Sequence, residues 1–454
     1  MTDLVLVRKG AYHDSVSLMR VSRALGELPG MEAAMVAMAT ELNVSVVREM
    51  GFEVPATEPG DLLVALRGRD PGAAAGELDR RLAELGGRRG GGAGGGGPAE
   101  GPPLTTRSAA ARGHGDLVLV SVPGEHAFCE AVDAVEAGLP VMVFSDGVPL
   151  RLERRLKELG EERGVLVMGP DCGTTVIAGV GLGFANVLRP GPVGVVAASG
   201  TGAQQVTSLL DWAGTGVSHV LGVGGRDLSA EVGGLSTLRA LRMLDDDPAT
   251  ELVVLVSKPP APGVAARVRE AVAAMRTPVV EAFLDEGDLT RAAEAALRAL
   301  GRPVPGWPRW DVPAGRGRPG GGTLRGLYSG GTLKAEAELV SGRSGTFVDY
   351  GDDAYTRGRP HPMIDPTLRL DALSRVAPGD VVLMDVVLGH GADPDPAAAL
   401  APAVARVPGP VVVALVGTAG DPQDLRRQAA AFQEAGAAVF LSNAQAASHA
   451  RSLS

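Results

Sequence analysis

Apolar residues along this chain come in short runs, and between the runs they recur at helical spacing. From residue 4 to about residue 85, runs at 4–7, 31–38 and 62–66 alternate with helical patterns, the last being AAAGELDRRLAEL. That alternation predicts a small α/β unit over residues 1–85. The next stretch, GGRRGGGAGGGGPAEGPP, cannot build a core and reads as a linker or loose surface loop, bounded at 86–104. A second α/β unit, 105–188, follows, with DLVLVSVPG, LPVMVFSDG and GVLVMGPDCGT as strands and a helix from about Ala127 to Ala137. A third, 189–302, opens on VGVVA and continues through VSHVLGVGG, ELVVLVSKP and TPVVEAFLD. After the bridge GRPVPGWPRWDVPAGRGRPGGG (linker 303–322), a fourth unit, 323–454, carries TLRGLYSG, DVVLMDVVLG and PVVVALVG. Strict β–α alternation implies parallel sheets covered on both faces. In open sheets of that kind ligands bind beyond the carboxyl ends of the strands, so the loops leaving these runs are where chemistry belongs.

One such loop stands out. In VGVVAASGTGAQQVTSLLDW the run around Val195 reads as a strand buried on both faces, while Val206, Leu209, Leu210 and Ala213 make one face of a helix. Ser199, Gly200, Thr201 and Gly202 therefore form a corner at a helix N-terminus. Unpaired N–H groups and the positive end of the helix dipole suit such a corner to an anion. It is not a Walker loop, because no Gly-Lys-Ser/Thr follows, and the alternative reading is a tight turn with a Ser or Thr cap. The pattern recurs in GLYSGGTLKAEAELV, where Ser329, Gly330, Gly331 and Thr332 stand at the same place. Two such corners opening successive units favour a phosphate site over plain capping. Further strand-end donors lie in GVGGRDLS (Gly224, Gly225, Arg226, Asp227) and VGTAGDPQD (Gly417, Thr418, Gly420), where Asp421 and Pro422 look like the cap and first residue of a helix.

Composition sets limits. With 454 residues, 45% hydrophobic and 21% charged, the chain is long enough for about three folded domains. A net charge of −10 argues against a nucleic-acid or membrane-surface partner, each of which needs a basic face. Cys129 and Cys172 are too few for a disulfide framework, and MTDLVLVRKG lacks the apolar core of a signal peptide, so the chain reads as cytoplasmic. Every apolar run is too short to span a membrane. No cluster of residues calls for a metal.

MGPDCGTTVI, GPVGVVAASGTGAQQV, GVGGRDLS and LRMLDDDPATELVVLVSK resemble the CoA-binding and ligase domains of the succinyl-CoA synthetase α chain. YSGGTLKAEA, RGRPHPMIDPTLR, MDVVLGHGADPDPAAAL and VGTAGDPQD resemble the CoA-ligase domain of the β chain, fused behind. With VRKGAYHDSVSLM at the start, this order is similar to the FdrA family. The resemblance implies several parallel-sheet α/β domains: a Rossmann-like CoA-binding unit followed by two flavodoxin-like ligase domains.

The succinyl-CoA synthetase chemistry that the resemblance implies runs through a phosphorylated histidine supported by a glutamate. No histidine occurs here between His219 and His361, and Lys258 falls where that glutamate would. A cation pairs directly with a phosphate dianion, whereas a carboxylate suits holding an imidazole. The β chain's nucleotide-binding ATP-grasp domain is missing between the two ligase domains. The FdrA resemblance implies instead a subunit of an oxamate carbamoyltransferase in allantoin catabolism, acting with other subunits on phosphate, carbamoyl phosphate and oxamate. On this reading the two corners hold phosphate, with Lys258 or Arg226 as counter-charge. The alternatives are an acyl-CoA synthetase with a nucleotide-binding partner and a non-catalytic CoA- or metabolite-binding scaffold. CoA is the one cofactor the resemblance allows.

His390, just past a strand end, is placed for a general acid or oxyanion donor, or is a solvated loop histidine. His361, between two prolines, reads as structural. Cys172 reads as a small core-edge residue, and His114 and His126 as solvated. Asp385 interrupts an apolar strand and needs donors, as it would have if it capped a neighbouring loop. Asp245 to Asp247 and RRLKEL read as solvated faces or caps.

Overall fold

A computed structural model describes residues 1–11, 13, 15–87, 103–113, 115–356 and 359–454. His114 and most of the glycine-rich stretch fall outside them. The chain divides into two units: Met1–Thr105 with Ser121–Pro123 and Asp353–Pro360, and Thr106–Val120 with Gly124–Asp352 and His361–Ser454. No helix among the described residues is long and apolar enough to cross a membrane.

The first unit is built on β1 (Thr2–Arg8), β2 (Met31–Met38) and β3 (Leu62–Gly68), ordered β1-β3-β2. Both pairings are antiparallel, so the third strand is inserted between two that run parallel to each other. Alternation along β3 explains its central place. Leu62, Val64 and Leu66 face helices Ser15–Gly26 and Pro71–Gly87, while Leu63 and Ala65 face Val44, Val47 and Phe52 around helix Glu41–Glu49.

The second unit holds three sheets. The first is parallel: β4 (Val118–Val120), β5 (Val141–Val143) and β6 (Val167–Met168), in that order. The second contains β7 (Thr174–Ile177), β8 (Val180–Gly183), β9 (Pro190–Ala197), β10 (Val217–Gly222), β11 (Leu252–Ser257) and β12 (Val279–Phe283), ordered β12-β11-β9-β10-β7-β8. Its four last strands are parallel, but β7 and β8 form an antiparallel hairpin on the edge, an element that strict alternation did not predict. The third contains β13 (Arg309–Trp310), β14 (Leu324–Tyr328), β15 (Thr346–Asp349), β16 (Val381–Val387), β17 (Val411–Val416) and β18 (Ala437–Phe440), ordered β13-β18-β17-β16-β14-β15. All are parallel except β13, which the proline- and tryptophan-containing bridge supplies.

The two large sheets share one plan. In each, the first strand of the βα series is central, the second lies on one side and the third on the other: β10-β9-β11 and β15-β14-β16. Strand order therefore reverses between β9 and β11 and between β14 and β16, and a crevice opens there at the carboxyl ends. Ser199–Gly202 follow β9, Lys258 follows β11, and Ser329–Thr332 follow β14.

One charged side chain is buried against expectation, while its neighbours Arg154 and Arg155 are exposed. Lys157, in RRLKEL, has no exposed side-chain surface; its ammonium donates to Glu153 at 2.9 Å, Asp227 at 2.8 Å and the Val223 carbonyl at 3.0 Å. All three donors of the ammonium are thereby satisfied, which is what lets a lysine be buried. Asp245 and Asp247 do act as caps, accepting from Thr277 N–H and the Thr250 hydroxyl. Burial pushes the Cys172 thiol up to about 11, so it is an inert core residue.

Candidate active site

The two corners meet. A Cβ on Gly330 would lie 2.5 Å from the Thr201 hydroxyl, and one on Gly202 would lie 3.1 Å from the Thr332 methyl. Helices Gly200–Trp212 and Gly331–Val340 thus point their N-termini at one spot from opposite sheets. Their caps differ. The Ser199 side chain accepts from Gly202 N–H at 2.9 Å, the ordinary N-cap bond. The second helix is capped by Gly330, and among the described residues no side chain caps its first turn. Donors left open at such an end are a ready site for an anion.

Ser329 is turned the other way. Both its N–H and its hydroxyl donate to one carboxylate oxygen of Asp385, at 2.8 and 2.9 Å. Asp385 is thus the loop cap its sequence position suggested. Burial raises its carboxyl to about 6, against the opposing pull of Arg369 and the Ser329 bonds. Arg369 is itself buried and donates to the Asp385 carbonyl at 2.6 Å and to Pro362.

Two charged groups border the open helix end. From the end of β11, the exposed Lys258 brings Nζ to 3.2 Å from the place of a Cβ on Gly331. From the end of β15, Asp349 brings Oδ2 to 2.5 Å from the same place. Burial raises the Asp349 carboxyl, while the Gly351 N–H and the Lys258 charge oppose the rise. His361 lies close by: its Nε2 is 2.7 Å from where Gly351 would carry a Cβ, and the same Cβ would be 2.6 Å from the Ser329 carbonyl. Its Nδ1 accepts from Met363 N–H at 3.2 Å, which leaves the proton on Nε2, and its ring packs on Phe184. Burial and the Arg369 charge hold it down to about 4, so the ring is neutral near pH 7. A histidine therefore does reach the corner, carried in by a proline-flanked loop between β15 and β16. Sequence reasoning missed Asp349 and gave His361 only a structural part; the available signal was the short run TFVD, a strand that ends on Asp349.

The remaining expected residues lie elsewhere or serve the framework. Arg226 pairs with Glu153 at 2.8 Å and donates to Val148, so it is not a spare counter-charge. Asp227 is fully buried, accepting from Lys157, Ser236 and Thr237. Gly224, with φ of +86°, would carry a Cβ 2.4 Å from the Pro170 carbonyl, and a Cβ on Gly225 would lie 4.0 Å from the Ala198 carbonyl. Gly417, Thr418 and Gly420 line a latch. Asp421 accepts from Thr418, Val187 and Asn186, and the Thr418 hydroxyl donates to Val187. Asp421 is therefore not a helix cap; helix Leu425–Glu434 is capped by Asp424. His390 is exposed and pairs through its backbone with Ala185. His126 is exposed beside Glu125.

Comparison with known proteins finds three family matches along the chain. Residues 1–97 match a family described as AllF, heavy metal-associated domain, 189–283 a CoA binding domain and 327–453 CoA-ligase. The uncharacterised protein YahF of Escherichia coli K12 is 37% identical over 96% of this chain and 95% of its own. The chain belongs to the succinyl-CoA-synthetase-like FdrA family. A succinate–CoA ligase [ADP-forming] subunit alpha 2 of Archaeoglobus fulgidus is 29% identical over 34% of this chain and 54% of its own. Among solved structures, ATP citrate lyase from Methanothrix soehngenii with citrate and coenzyme A superimposes at a TM-score of 0.33 and 18% identity, over 44% of this chain and 37% of that one. The FdrA chain has no cysteine in residues 1–97, so its N-terminal domain has no thiolate for a soft heavy metal. The CoA binding match falls on residues 189–283, the stretch that carries the Ser199–Gly202 corner, and CoA is given no step below.

Proposed function

We propose that this FdrA-family chain is a subunit of an oxamate carbamoyltransferase complex, interconverting oxalurate plus phosphate with oxamate plus carbamoyl phosphate. The observation that carries the reading is the meeting of two helix N-termini beside the Lys258 ammonium. Phosphate binds the open N–H groups of Gly331 and Thr332, with Lys258 neutralising its charge and Thr201 facing it from the other helix. Held there, it attacks the carbamoyl carbon, and the same donors stabilise charge that develops on oxygen. The AllF-type N-terminal domain fits a place in allantoin breakdown. The subunit nature of the succinate–CoA ligase relative fits a heteromeric assembly, and the compartment we assign is the cytoplasm.

The test is reconstitution with the partner subunits. Oxamate and carbamoyl phosphate should yield oxalurate and phosphate, and absence of turnover with all partners present refutes the reading. The CoA-ligase match favours a second one, an acid–thiol ligase that borrows a nucleotide-binding partner. CoA-dependent ATP hydrolysis by the complex would select it. If variants at both corners left complex activity unchanged, a binding scaffold would be the better description.

A further inference from the structure

Asp349 closes β15 where the two corners meet. Its Oδ1 accepts Gly351 N–H at 2.9 Å, and its Oδ2 is aimed at the first turn of helix Gly331–Val340. Among the described residues no ion pair ties it to Lys258, although the two approach the same point from opposite sheets. A phosphate dianion on the Gly331 and Thr332 N–H groups therefore meets an ammonium on one side and a carboxylate on the other. The ammonium neutralises it. Two like charges at such range cannot both persist, so the carboxylate and the phosphate must share a proton.

Resting on the carbamoyl-transfer reading, we propose that Asp349 is the acid–base residue of this site, taking the proton of bound hydrogen phosphate and delivering it to the departing nitrogen. A phosphate oxygen bonds to the carbamoyl carbon of oxalurate. The bond from that carbon to the oxamate nitrogen breaks, and its electron pair goes to nitrogen. The one proton of HPO4 2− passes to Asp349 and on to that nitrogen. Oxalurate monoanion and hydrogen phosphate dianion thus leave as oxamate monoanion and carbamoyl phosphate dianion, with Asp349 ionised again. The other titratable groups facing Asp349 are Lys258, Lys334, Asp352 and Asp385. His361 stays neutral across the working range and supplies no competing proton.

Calorimetry of inorganic phosphate binding to the full chain reads the carboxylate by its effect on the anion. Asp349→Asn removes a like charge and should bind phosphate at least as tightly as wild type. In the reconstituted complex, Asp349→Asn should lower turnover at least about 100-fold. Asp349→Glu keeps the carboxyl and guards against misfolding of the first variant: it should retain more turnover than Asp349→Asn. The proposal is overturned if Asp349→Asn turns over within about threefold of wild type, if Asp349→Asn alone loses phosphate binding, or if phosphate binds neither protein. If Asp349→Asn binds phosphate more tightly than wild type but the wild-type complex carries out no carbamoyl transfer, the carbamoyl reading fails and Asp349 stands as the carboxylate that faces bound phosphate.

Discussion

Lys258 and Ser199 illustrate how two residues in similar strand-end positions take different parts. Lys258 reaches the open helix end with an exposed stem, and the resemblance that sets it in place of a glutamate made it legible in the sequence. Lys258→Met should weaken phosphate by roughly 10- to 100-fold, since hydrogen bonds to charged groups are worth about 1.5–3 kcal/mol, and should change affinity for an uncharged ligand little. Ser199 spends its hydroxyl on Gly202 N–H. Ser199→Ala should therefore cost about 1 kcal/mol of stability and leave phosphate affinity nearly unchanged. Calorimetric titration with phosphate and urea unfolding of each variant separate the two effects; loss of phosphate binding in Ser199→Ala would place its hydroxyl on the anion after all. Asp349 and His361 could not be assigned from sequence because their meaning comes from neighbours far along the chain. Asp349 is informative only beside Lys258, and His361 only beside Gly351. Lys157 misleads for the opposite reason: a charged helical run reads as solvated until Asp227, on another loop, is found against it.

At the scale of elements, strand runs and glycine corners were plain from periodicity because both large sheets repeat one βα order. The hairpin of β7 and β8 was not, since TTVI and VGLG are only four residues each and half of VGLG is glycine. Nor are the two corners equivalent in tolerance. Gly200 has no positive φ, and a Cβ there would meet only the Thr174 side chain, at 3.0 Å. A Cβ on Gly330 would press on Thr201 at 2.5 Å, across the junction of the two helices. Gly330→Ala should therefore weaken phosphate and lower stability by about 1–3 kcal/mol, the usual cost of overpacking, whereas Gly200→Ala should be milder. Pairing Gly330→Ala with Thr201→Gly removes the opposing side chain and should restore part of the phosphate affinity lost in Gly330→Ala alone. A double-mutant cycle measures this coupling, and additive losses would mean that the helix ends are not pressed together.

Across the second unit, a buried polar network fixes the angle at which the helix ends meet. Glu336, on the second corner helix, accepts from Leu289 N–H at 2.6 Å and from the Asn443 amide at 2.7 Å. Asn443 in turn accepts from the Tyr328 hydroxyl and donates its N–H to Gln205, on the first corner helix. The contacts of Asn443 join residues more than 100 positions apart, and no local pattern announces them. They have a pH signature. Burial raises the Glu336 carboxyl from 4.5 to about 7, against the pull of its two donors. A carboxyl raised on folding binds more protons in the native state than in the unfolded chain, so its contribution to stability falls as pH rises from about 4.5 to about 7. His361, lowered from 6.5 to about 4, works in the opposite sense over nearly the same window. The two slopes partly cancel in wild type. Glu336→Gln removes only the first, at the cost of one imperfect bond to Leu289 or Asn443. Its pH slope of stability between pH 5 and pH 7 should therefore be more positive than that of wild type, because His361 is then opposed by one raised carboxyl fewer, Asp385 remaining. Urea unfolding at several pH values gives the two slopes, and parallel profiles would show that Glu336 is ionised in the native protein throughout.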